Sequence, residues 1–194
     1  MKLSWPILAG LIILLVLFIW TLYGVYMSRS VSETPYEVSE ILENGVEIRE
    51  YPEEIWATTV AEDQNSAFSP LFRYISGDNE RGEKIEMTAP VVTMNTERGQ
   101  FMAFIMPEQF DINSIPKPSS NKVKIELVEP RKLATIRFSG YANQENYEKN
   151  LEILNKTLEI RGISTKGEPL LMQYNDPWTP PFLRRNEIAI QVNQ

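Results

Sequence analysis

The sequence predicts an α+β domain that follows an apolar N-terminal helix. Three observations lead to this prediction. Apolar and polar residues alternate in eight short segments, as they do in half-buried strands. Two longer segments, 65–77 and 143–162, carry apolar residues at helical spacing, and each lies between pairs of strands. Helices that cover the faces of a strand-rich sheet give an α+β architecture, and a sheet of this many strands tends to curl or close.

The first element is an apolar segment at the N-terminus. No charged residue lies between Leu3 and Ser28. At 1.5 Å per residue this run is about 39 Å of helix, more than the roughly 30 Å of bilayer hydrocarbon. A cleavable signal peptide is the alternative, but its apolar region is usually about 7–15 residues and ends at a small-residue cleavage site. We therefore predict a single-pass anchor in the lipid bilayer at residues 1–28, a linker at 29–35 and a folded domain at 36–194.

Charge predicts an orientation and excludes one class of partner. Lys2 and the α-amino group precede the apolar segment and Arg29 follows it, which favours a cytoplasmic N-terminus and an extracytoplasmic domain. The chain carries a formal charge of −7. Residues 31–194 exclude Lys2 and Arg29 but no acidic residue, so their formal charge is −9. Such a surface repels phosphate, so no nucleic-acid partner is expected. The sequence does not identify a protein partner.

The absence of two residue types limits the chemistry. The chain has no Cys, which excludes disulfides, thiolate catalysis and Cys-ligated metals. It also has no His, which removes the commonest general base and the commonest metal ligand. No carboxylate pair or nucleophile motif stands out either. We therefore assign no catalytic and no metal-binding residue, and an enzyme acting on a lipophilic ligand through a Glu or Tyr is the least favoured function.

The first half of the domain reads strand, strand, helix, strand, strand. Segments 45–51 and 55–61 alternate as strands, and the helical segment that follows ends at Gly77. Pro70 fits the first turn of a helix but not its interior, so we expect this helix to be short or to begin late. Strands at 84–94 and 99–107 close the half.

The strand "KIEMTAPVVTM" at 84–94 is broken in its middle. Pro90 has no N–H to donate to a sheet, so it predicts a bulge or bend, and bends of this kind are common beside binding sites. Met87 and Met94 flank it, and Met102 and Met106 follow on the next strand. Methionine adapts to irregular apolar ligands. The alternative is that these methionines simply fill the core.

The second half repeats the order of the first. Strands at 121–129 and 131–140 precede a helix that Asn143 can cap and Gly162 can end. Strands at 168–176 and 186–192 follow. Short matches recur between the halves at offsets of 77, 85 and 86 residues, such as Trp56-Ala57-Thr58 with Leu133-Ala134-Thr135. The matches predict a duplicated ββαββ unit, and chance similarity between alternating strands is the alternative.

Several segments closely resemble the SOUL/heme-binding protein family. They are "KIEMTAPV" with "FRYISGDNERG" before it, "NDPWTPPFLRRNEIAIQV" downstream, "GVEIREYPEEIWATTV" and "FSGYANQENYEKNLEIL". The resemblance extends from about Pro35 to the C-terminus. It implies a distorted β-barrel of two similar halves flanked by two helices. It also implies binding of heme or a related tetrapyrrole through an apolar surface, and without His or Cys any axial ligand to iron would be Met, Tyr or a rarer donor.

The resemblance also implies where the tetrapyrrole binds. Carried over by position, the ligand-binding face is Phe68, Phe72 and Arg73 on the first helix, with Met87 at the broken strand. Core packing is the alternative for the two phenylalanines, and a solvated surface residue is the alternative for Arg73. Trp178, in the proline-rich segment 175–187, is the fifth candidate, as part of a pocket rim or of a lid. A protein-interaction module with no small-molecule ligand is the alternative function.

Overall fold

The computed structural model describes residues 5–193, which form three α-helices, two short 3-10 helices and eleven strands. The helices are α1 (Trp5–Ser30), α2 (Gln64–Ile75) and α3 (Gln144–Ile160). The strands are β1 (Ser32–Glu33), β2 (Glu37–Ile41), β3 (Val46–Tyr51), β4 (Glu54–Ala61), β5 (Thr88–Ala89), β6 (Val91–Thr96), β7 (Gly99–Ile105), β8 (Lys124–Val128), β9 (Arg131–Phe138), β10 (Thr165–Gln173) and β11 (Asn186–Val192).

Nine of these strands form one large antiparallel sheet in the order β2-β3-β9-β11-β10-β6-β7-β4-β8. Helix α2 packs on β4 and β7, and α3 packs on β9 and β11. Strands β10 and β6 lie in the middle of the order, between the two helix-covered regions. The α+β class is thereby confirmed. Strands β2 and β8 stand at the two ends, and no ladder joins them in the described part of the chain.

Three apolar clusters make the core. One lies under α2 and includes Leu71 and Met102, and a second lies under α3 and includes Leu154 and Ile188. The third is on the opposite face of the sheet, because it takes the alternate residues of the same strands, such as Ala103 of β7. The helices are therefore on one face of the sheet, and a separate core fills the other.

The start of α2 differs from the sequence prediction. The helix begins at Gln64, and Pro70 lies in its interior. The Asp63 carboxylate accepts hydrogen bonds from the backbone N–H groups of Asn65 and Ser66, at 2.9 and 3.0 Å. This N-cap stabilises the first turn in spite of the proline, so the expectation of a late start was wrong.

The limits predicted for α3 are confirmed. Asn143 Oδ1 accepts a hydrogen bond from the backbone N–H of Asn146 at 3.0 Å. The helix ends at Ile160, two residues before Gly162, whose φ of 65° is in the left-handed region. Only glycine adopts this conformation without strain, which is why the helix stops there.

The predicted break at Pro90 is present. Thr88 and Ala89 form β5, which pairs in parallel with β1, whereas Val91 begins β6 in the large sheet. Strand β1 lies inside the segment 29–35, and the Thr34 N–H donates to the Ala89 carbonyl at 2.9 Å. The chain between α1 and the domain is therefore tied to β5. Strands β1 and β2 were absent from the sequence prediction, whereas β5 is the part of the predicted strand 84–94 that precedes the break.

Helix α1 contains an apolar stretch near the N-terminus, Trp5–Tyr26, of 22 residues. At 1.5 Å per residue it is about 33 Å long, enough to cross a bilayer. Its side chains are exposed on all sides, with exposures from 40% at Trp20 to 80% at Trp5 among the large ones. By length and composition, α1 meets the criteria for a membrane span, and a signal sequence near the N-terminus meets the same criteria. Residues 1–4 of the predicted anchor lie outside the described residues.

Candidate functional site

Two phenylalanines form an exposed aromatic surface on α2. The helix packs Leu71 and Tyr74 against the sheet, and residues on the adjacent side of the helix turn outward. Phe68 and Phe72, one turn apart, are 37% and 49% exposed. Their rings are stacked at 5.5 Å with an angle of 17° between planes. We call this pair the aromatic face.

The aromatic face is anchored from below. The Phe68 ring meets the buried Phe104 ring edge-on, at 5.4 Å and 64°. Phe104 is 2% exposed, so Phe68 is held by the core while its outer surface stays open. The core-filling alternative therefore does not describe this pair, since both rings remain accessible to a partner.

Arg73 follows Phe72 and is exposed on the outer side of α2. Among the described residues it takes part in no salt bridge, so its guanidinium is available to an anion. Arg81 is different, because it lies 3.6 Å from Glu83 and also donates to the Ser114 carbonyl. Of the cations near the aromatic face in sequence, Arg73 and Lys84 take part in no salt bridge among the described residues, and Arg73 is the one that α2 itself carries.

A cleft of about 140 Å³ lies between the two helices, above β6 and β10. Gln64, one turn before Phe68, lines it, and its Nε2 donates to Gln173 Oε1 at 3.3 Å. The side of α2 that carries Phe68 therefore faces the central strands. The volume is below the roughly 300–1,000 Å³ of small-molecule pockets, so this cleft does not enclose a large ligand. Its other lining residues are Thr93, Met94, Asn95, Gln100, Ala142, Asn143, Gln144, Tyr147 and Leu171.

A second cavity, of about 340 Å³, is bounded by the β3–β4 turn and by the segment that follows β7. Four carboxylates line it, and they disfavour an anionic ligand. One of them, Glu54, is buried and bonded through Oε2 to Arg131 and to the Trp56 indole, at 2.6 and 3.0 Å. The lining residues are Thr34, Pro35, Pro52, Glu53, Glu54, Ile55, Ile105, Met106, Pro107, Glu108, Phe110, Asp111 and Ile112.

The methionines of the broken strand and of β7 separate into two groups. Met102 and Met106 are buried in the cluster under α2, so the core-filling alternative holds for them. Met94 lines the cleft between the helices. Met87 is 37% exposed, two residues beyond Ile85, whose N–H donates to the Ile75 carbonyl at the end of α2. Met87 is therefore near the end of α2 in the chain but lines neither cavity.

Trp178 lies in a different region. Residues 176–183, which we call the proline loop, expose Trp178 by 74% and Phe182 by 64%. Asp176 caps the loop, accepting hydrogen bonds from the N–H groups of Trp178 and Thr179 at 2.7 and 3.1 Å. The carbonyl of Trp178 contacts α1, where it accepts a hydrogen bond from Trp20 Nε1 at 2.7 Å. The loop is thus a rigid element beside α1 and lines neither cavity.

Glu187 of β11 is the centre of a buried ionic network. It is 0% exposed and accepts hydrogen bonds from Arg49 at 2.6 and 3.1 Å, from Arg185 at 2.8 Å and from the Tyr174 hydroxyl at 2.9 Å. Burial by itself would raise the pKa of Glu187, but the bonds and charges of Arg49 and Arg185 lower it. Arg185 also meets Glu33 at 2.7 Å. Both of these arginines are therefore committed to the fold.

Only part of this network joins residues that are close in the chain. Arg185 and Glu187 are two positions apart and meet at 2.8 Å. Arg49 is 138 residues from Glu187, and no local pattern signals that contact. The neighbouring Arg184 does not bind an acid in the described residues, because it donates to the carbonyls of Thr179 and Pro177 and lies 4.9 Å from the Tyr141 ring.

Metal ligands are scarce at the aromatic face. Residues 5–193 contain no group of three or more His, Cys, Asp or Glu side chains placed to hold a metal ion. Tyr74 of α2 is buried, and its hydroxyl donates to the Pro116 carbonyl at 2.8 Å. Burial raises the pKa of Tyr74 to about 12, so it does not supply a phenolate to iron.

Comparison with known proteins agrees with the geometry. A family model described as SOUL heme-binding protein matches residues 31–191. Heme-binding protein 1 of Mus musculus is 31% identical over 142 residues, which cover 70% of this chain and 74% of that protein. Its counterpart in Sus scrofa is 29% identical over 137 residues, covering 66% and 71%.

Solved structures show the same fold at lower identity. The crystal structure of the EcmrR C-terminal domain has a TM-score of 0.57 at 15% identity, and the match covers 82% of this chain and 98% of that one. At this identity the likeness concerns the fold alone. The sequence comparisons go further, since the family model spans nearly all of the chain beyond α1. The chain belongs to the SOUL heme-binding protein family.

Proposed function

We propose that this protein is a membrane-anchored binding or carrier protein for heme or a related tetrapyrrole, held on the aromatic face of α2 without a histidine ligand. The observation that carries the proposal is the stacked, solvent-exposed pair Phe68 and Phe72 beside the unpaired Arg73. Heme-binding protein 1 is a relative over most of its length, which supports the same ligand class here.

The aromatic face suits a flat, amphiphilic ring. Burying a Phe side chain is worth roughly 1.5–3 kcal/mol, and aromatic stacking adds about 0.5–1.5 kcal/mol. The carboxylates of a tetrapyrrole need a cation at the edge of the ring, and Arg73 supplies it with charge-assisted hydrogen bonds. The acidic cavity bounded by Glu54 and Glu108 is a poor alternative, because its charges repel such a ligand. Met87 and Trp178 remain predicted contacts, the second only if the ligand reaches the proline loop.

Iron is dispensable in this proposal. A heme brings redox and ligand-binding chemistry with its iron, but this chain offers no His or Cys to control it. Tyr74 is engaged with Pro116, which leaves the exposed Met87 as the nearest soft donor to α2 in sequence. The residues of the chain therefore hold and orient the ring, and they bind metal-free porphyrin nearly as well.

Membrane anchoring through α1 is the second part of the proposal. An α-helix that is apolar on all sides and 6% buried is more stable in lipid than in water. We propose that residues 1–28 form the single span, that 29–35 connect it, and that 36–194 form the binding domain on the extracytoplasmic side. A hydrophobic macrocycle partitions into bilayers, so a tethered carrier would meet its ligand there.

The domain architecture we propose is a distorted barrel of two ββαββ halves. If β3, β4, β6 and β7 correspond to β8, β9, β10 and β11, the order of these eight strands reads the same from both ends. Strand register supports the offsets. Trp56 pairs with Ile105, and its counterpart Leu133 pairs with Gln191, 86 residues after Ile105. The offset of 85 residues, which would match Met87 with Met172, lacks this support because Met87 precedes β5.

Titration of the full chain in phosphatidylcholine nanodiscs tests the ligand. Hemin and metal-free protoporphyrin are added separately, and the change in porphyrin absorbance is corrected with empty nanodiscs. We expect saturable binding of both, and a fall in affinity of about tenfold or more for Phe72→Glu, because 1.4 kcal/mol is tenfold. Arg73→Gln should weaken binding less, since it removes only the charge contact.

Leu127→Glu is the matched control. Leu127 of β8 is 41% exposed, close to the 49% of Phe72, and the substitution adds the same charge. Equal weakening by both variants would mean that the effect is general. No saturable binding of either porphyrin would reject the proposal and leave the protein-interaction module. Turnover of porphyrin esters without loss in the Phe72→Glu variant would favour an enzyme instead.

A further inference from the structure

We infer that the proline loop, residues 176–183, is a second membrane contact that inserts Trp178 and Phe182 into the bilayer interface beside α1. The inference rests on the proposed function in one respect, the assignment of α1 as a membrane span. It adds that the domain is docked on the lipid surface by its own side chains, in a fixed orientation, in addition to the covalent tether.

The loop is packed against α1 through a glycine. A Cβ atom at Gly24 would lie 2.6 Å from Pro180 Cδ and 3.3 Å from Leu183 Cδ1, so a larger residue would displace the loop. One turn earlier, Trp20 Nε1 donates to the Trp178 carbonyl at 2.7 Å. An indole N–H without a partner is costly at the edge of the hydrocarbon, and the loop provides one.

The position of this contact along α1 sets a depth. Trp20 is six residues before Tyr26, the end of the apolar stretch. At 1.5 Å per residue it lies about 9 Å inside that end. Interfacial segments bury their apolar side chains about 5–10 Å below the headgroup boundary. The loop is therefore held at the level where such segments act.

The composition of the loop fits this level. Trp178 and Phe182 are 74% and 64% exposed, and the neighbouring Tyr141 is 58% exposed. Tryptophan and tyrosine rings favour the headgroup region. The polar groups of the loop are bonded internally, since Asp176 accepts from Thr179 Oγ1 at 2.8 Å and Arg184 donates to Thr179 O at 2.8 Å. Little hydrogen bonding is therefore lost when lipid replaces water around it.

Lipid fits the exposed rings better than a protein partner does. The rings adjoin α1 at the depth of the interface, so in an anchored chain they meet acyl chains and headgroups first. The domain beyond residue 30 carries a formal charge of −9, because it excludes Lys2 and Arg29 and contains all the acidic residues of the chain. Anionic headgroups would be repelled, so the expected surface is zwitterionic, such as phosphatidylcholine.

The absence of Cys from the chain makes a direct test possible. Single variants Phe182→Cys, Leu14→Cys and Ile160→Cys of the full chain are spin-labelled and reconstituted in phosphatidylcholine bilayers. Collision with oxygen, which concentrates in lipid, is compared with collision with a water-soluble nickel complex. Leu14 reports whether α1 spans. Ile160 is the aqueous control, because it is 72% exposed and distant from the loop. The loop contacts Gly140, which precedes α3, and Ile160 stands at the opposite end of α3, about 24 Å from Gln144.

We expect oxygen-accessible labels at Leu14 and Phe182 and a nickel-accessible label at Ile160. A Leu14 label in lipid with a Phe182 label in water would overturn the membrane contact of the loop but not the membrane span of α1. The exposed rings of the loop would then be assigned to a protein partner. A Leu14 label in water would reject the membrane span and the inference together, without bearing on porphyrin binding.

Glycine substitutions in α1 add a matched pair. Gly24→Leu should move the Phe182 label towards water while the Leu14 label stays in lipid, because the loop can no longer pack on α1. Gly10→Leu is the control, since a Cβ at Gly10 meets nothing within 4 Å. Unchanged accessibility at Phe182 in the Gly24→Leu variant would contradict the role of this contact.

Discussion

The α2 and α3 sides of the sheet use apolar residues differently. Helix α3 packs Leu154 and Leu158 into its cluster, and its large exposed apolar residue, Ile160, stands at its last position. Helix α2 packs Leu71 equally well but leaves Phe68 and Phe72 stacked and open to solvent. A contiguous exposed apolar surface is more informative than scattered exposed residues. The comparison distinguishes α3, whose apolar residues pack into the fold, from α2, on which we propose a surface for recognition.

A second difference concerns charge on the face opposite the helices. Strand β11, which α3 covers, carries the buried Glu187 with its arginine and tyrosine partners. The position that matches Glu187 at an offset of 86 residues is Phe101 in β7, the strand that α2 covers. The Phe101 side chain packs on an apolar cluster. If the halves are duplicated, the second half has gained an ionic network at a position where the first keeps an aromatic ring.

The largest expected effect on stability tests this difference in charge between the two halves. Glu187→Gln removes the buried negative charge between Arg49 and Arg185, and each arginine keeps only a partly exposed acid, Glu47 at 2.7 Å and Glu33 at 2.7 Å. We expect the free energy of unfolding to fall by about 3–5 kcal/mol at neutral pH, measured by urea unfolding. Glu50→Gln, which breaks the exposed pair with Lys132 at 2.9 Å, should cost at most about 1 kcal/mol. Similar losses in the two variants would contradict the importance of the network.

The same variant has a pH signature. The folded protein lowers the pKa of Glu187 from its ordinary value near 4.5. The stabilisation is therefore complete above that value and is lost as the pH falls through the lowered pKa. The difference in unfolding free energy between the parent protein and Glu187→Gln should be constant near neutrality and narrow in acid. A difference in unfolding free energy that widens in acid would show that another titrating group dominates the pH dependence.

An intermediate effect on stability tests whether the buried apolar residues of α2 and α3 contribute equally to the fold. Leu71→Ala in α2 and Leu154→Ala in α3 each remove a side chain that is 0% exposed. Each should lower the free energy of unfolding by about 2–5 kcal/mol, through lost burial and the cavity that remains. A loss at only one of the two sites would break the comparison, because it would mean that one helix contributes little to the fold. Calorimetry or urea unfolding decides this.

The smallest effect on stability belongs to the aromatic face. Phe72→Ala should change the free energy of unfolding by no more than about 0.5 kcal/mol, since the ring is half exposed and Phe68 carries the contact to Phe104. The same variant should weaken protoporphyrin binding measurably. A loss of stability as large as that of Leu71→Ala would assign Phe72 to the core and remove the contrast between the helices.

Local patterns predicted most of the elements. Eight strands and both domain helices follow from alternation, helical spacing and caps such as Asn143, which act within a few residues. The missed strands β1 and β2 are short or exposed, so they carry no buried alternation to recognise. The start of α2 was misjudged because the Asp63 cap outweighed the effect of Pro70.

The candidate site was predicted in part. Family resemblance selected Phe68, Phe72 and Arg73, and helical spacing is enough to bring them to one region of α2. Spacing does not decide which of two adjacent apolar stripes faces the sheet, and the packing of Leu71 and Tyr74 decides that. Trp178 is not part of this region, because the structure places it beside α1. Met87 is close to the end of α2 in the chain and lines neither cavity.

The sequence by itself determined the apolar helix, the α+β class and the absence of His and Cys chemistry, because these depend on composition and on short-range periodicity. It also indicated the family, through the resemblance of short motifs. The tertiary structure decided which phenylalanines stay open, how Arg49 reaches Glu187, and that the proline loop meets Gly24 of α1. The last two contacts join residues more than a hundred positions apart. Their energies depend on burial and distance, which no local pattern encodes.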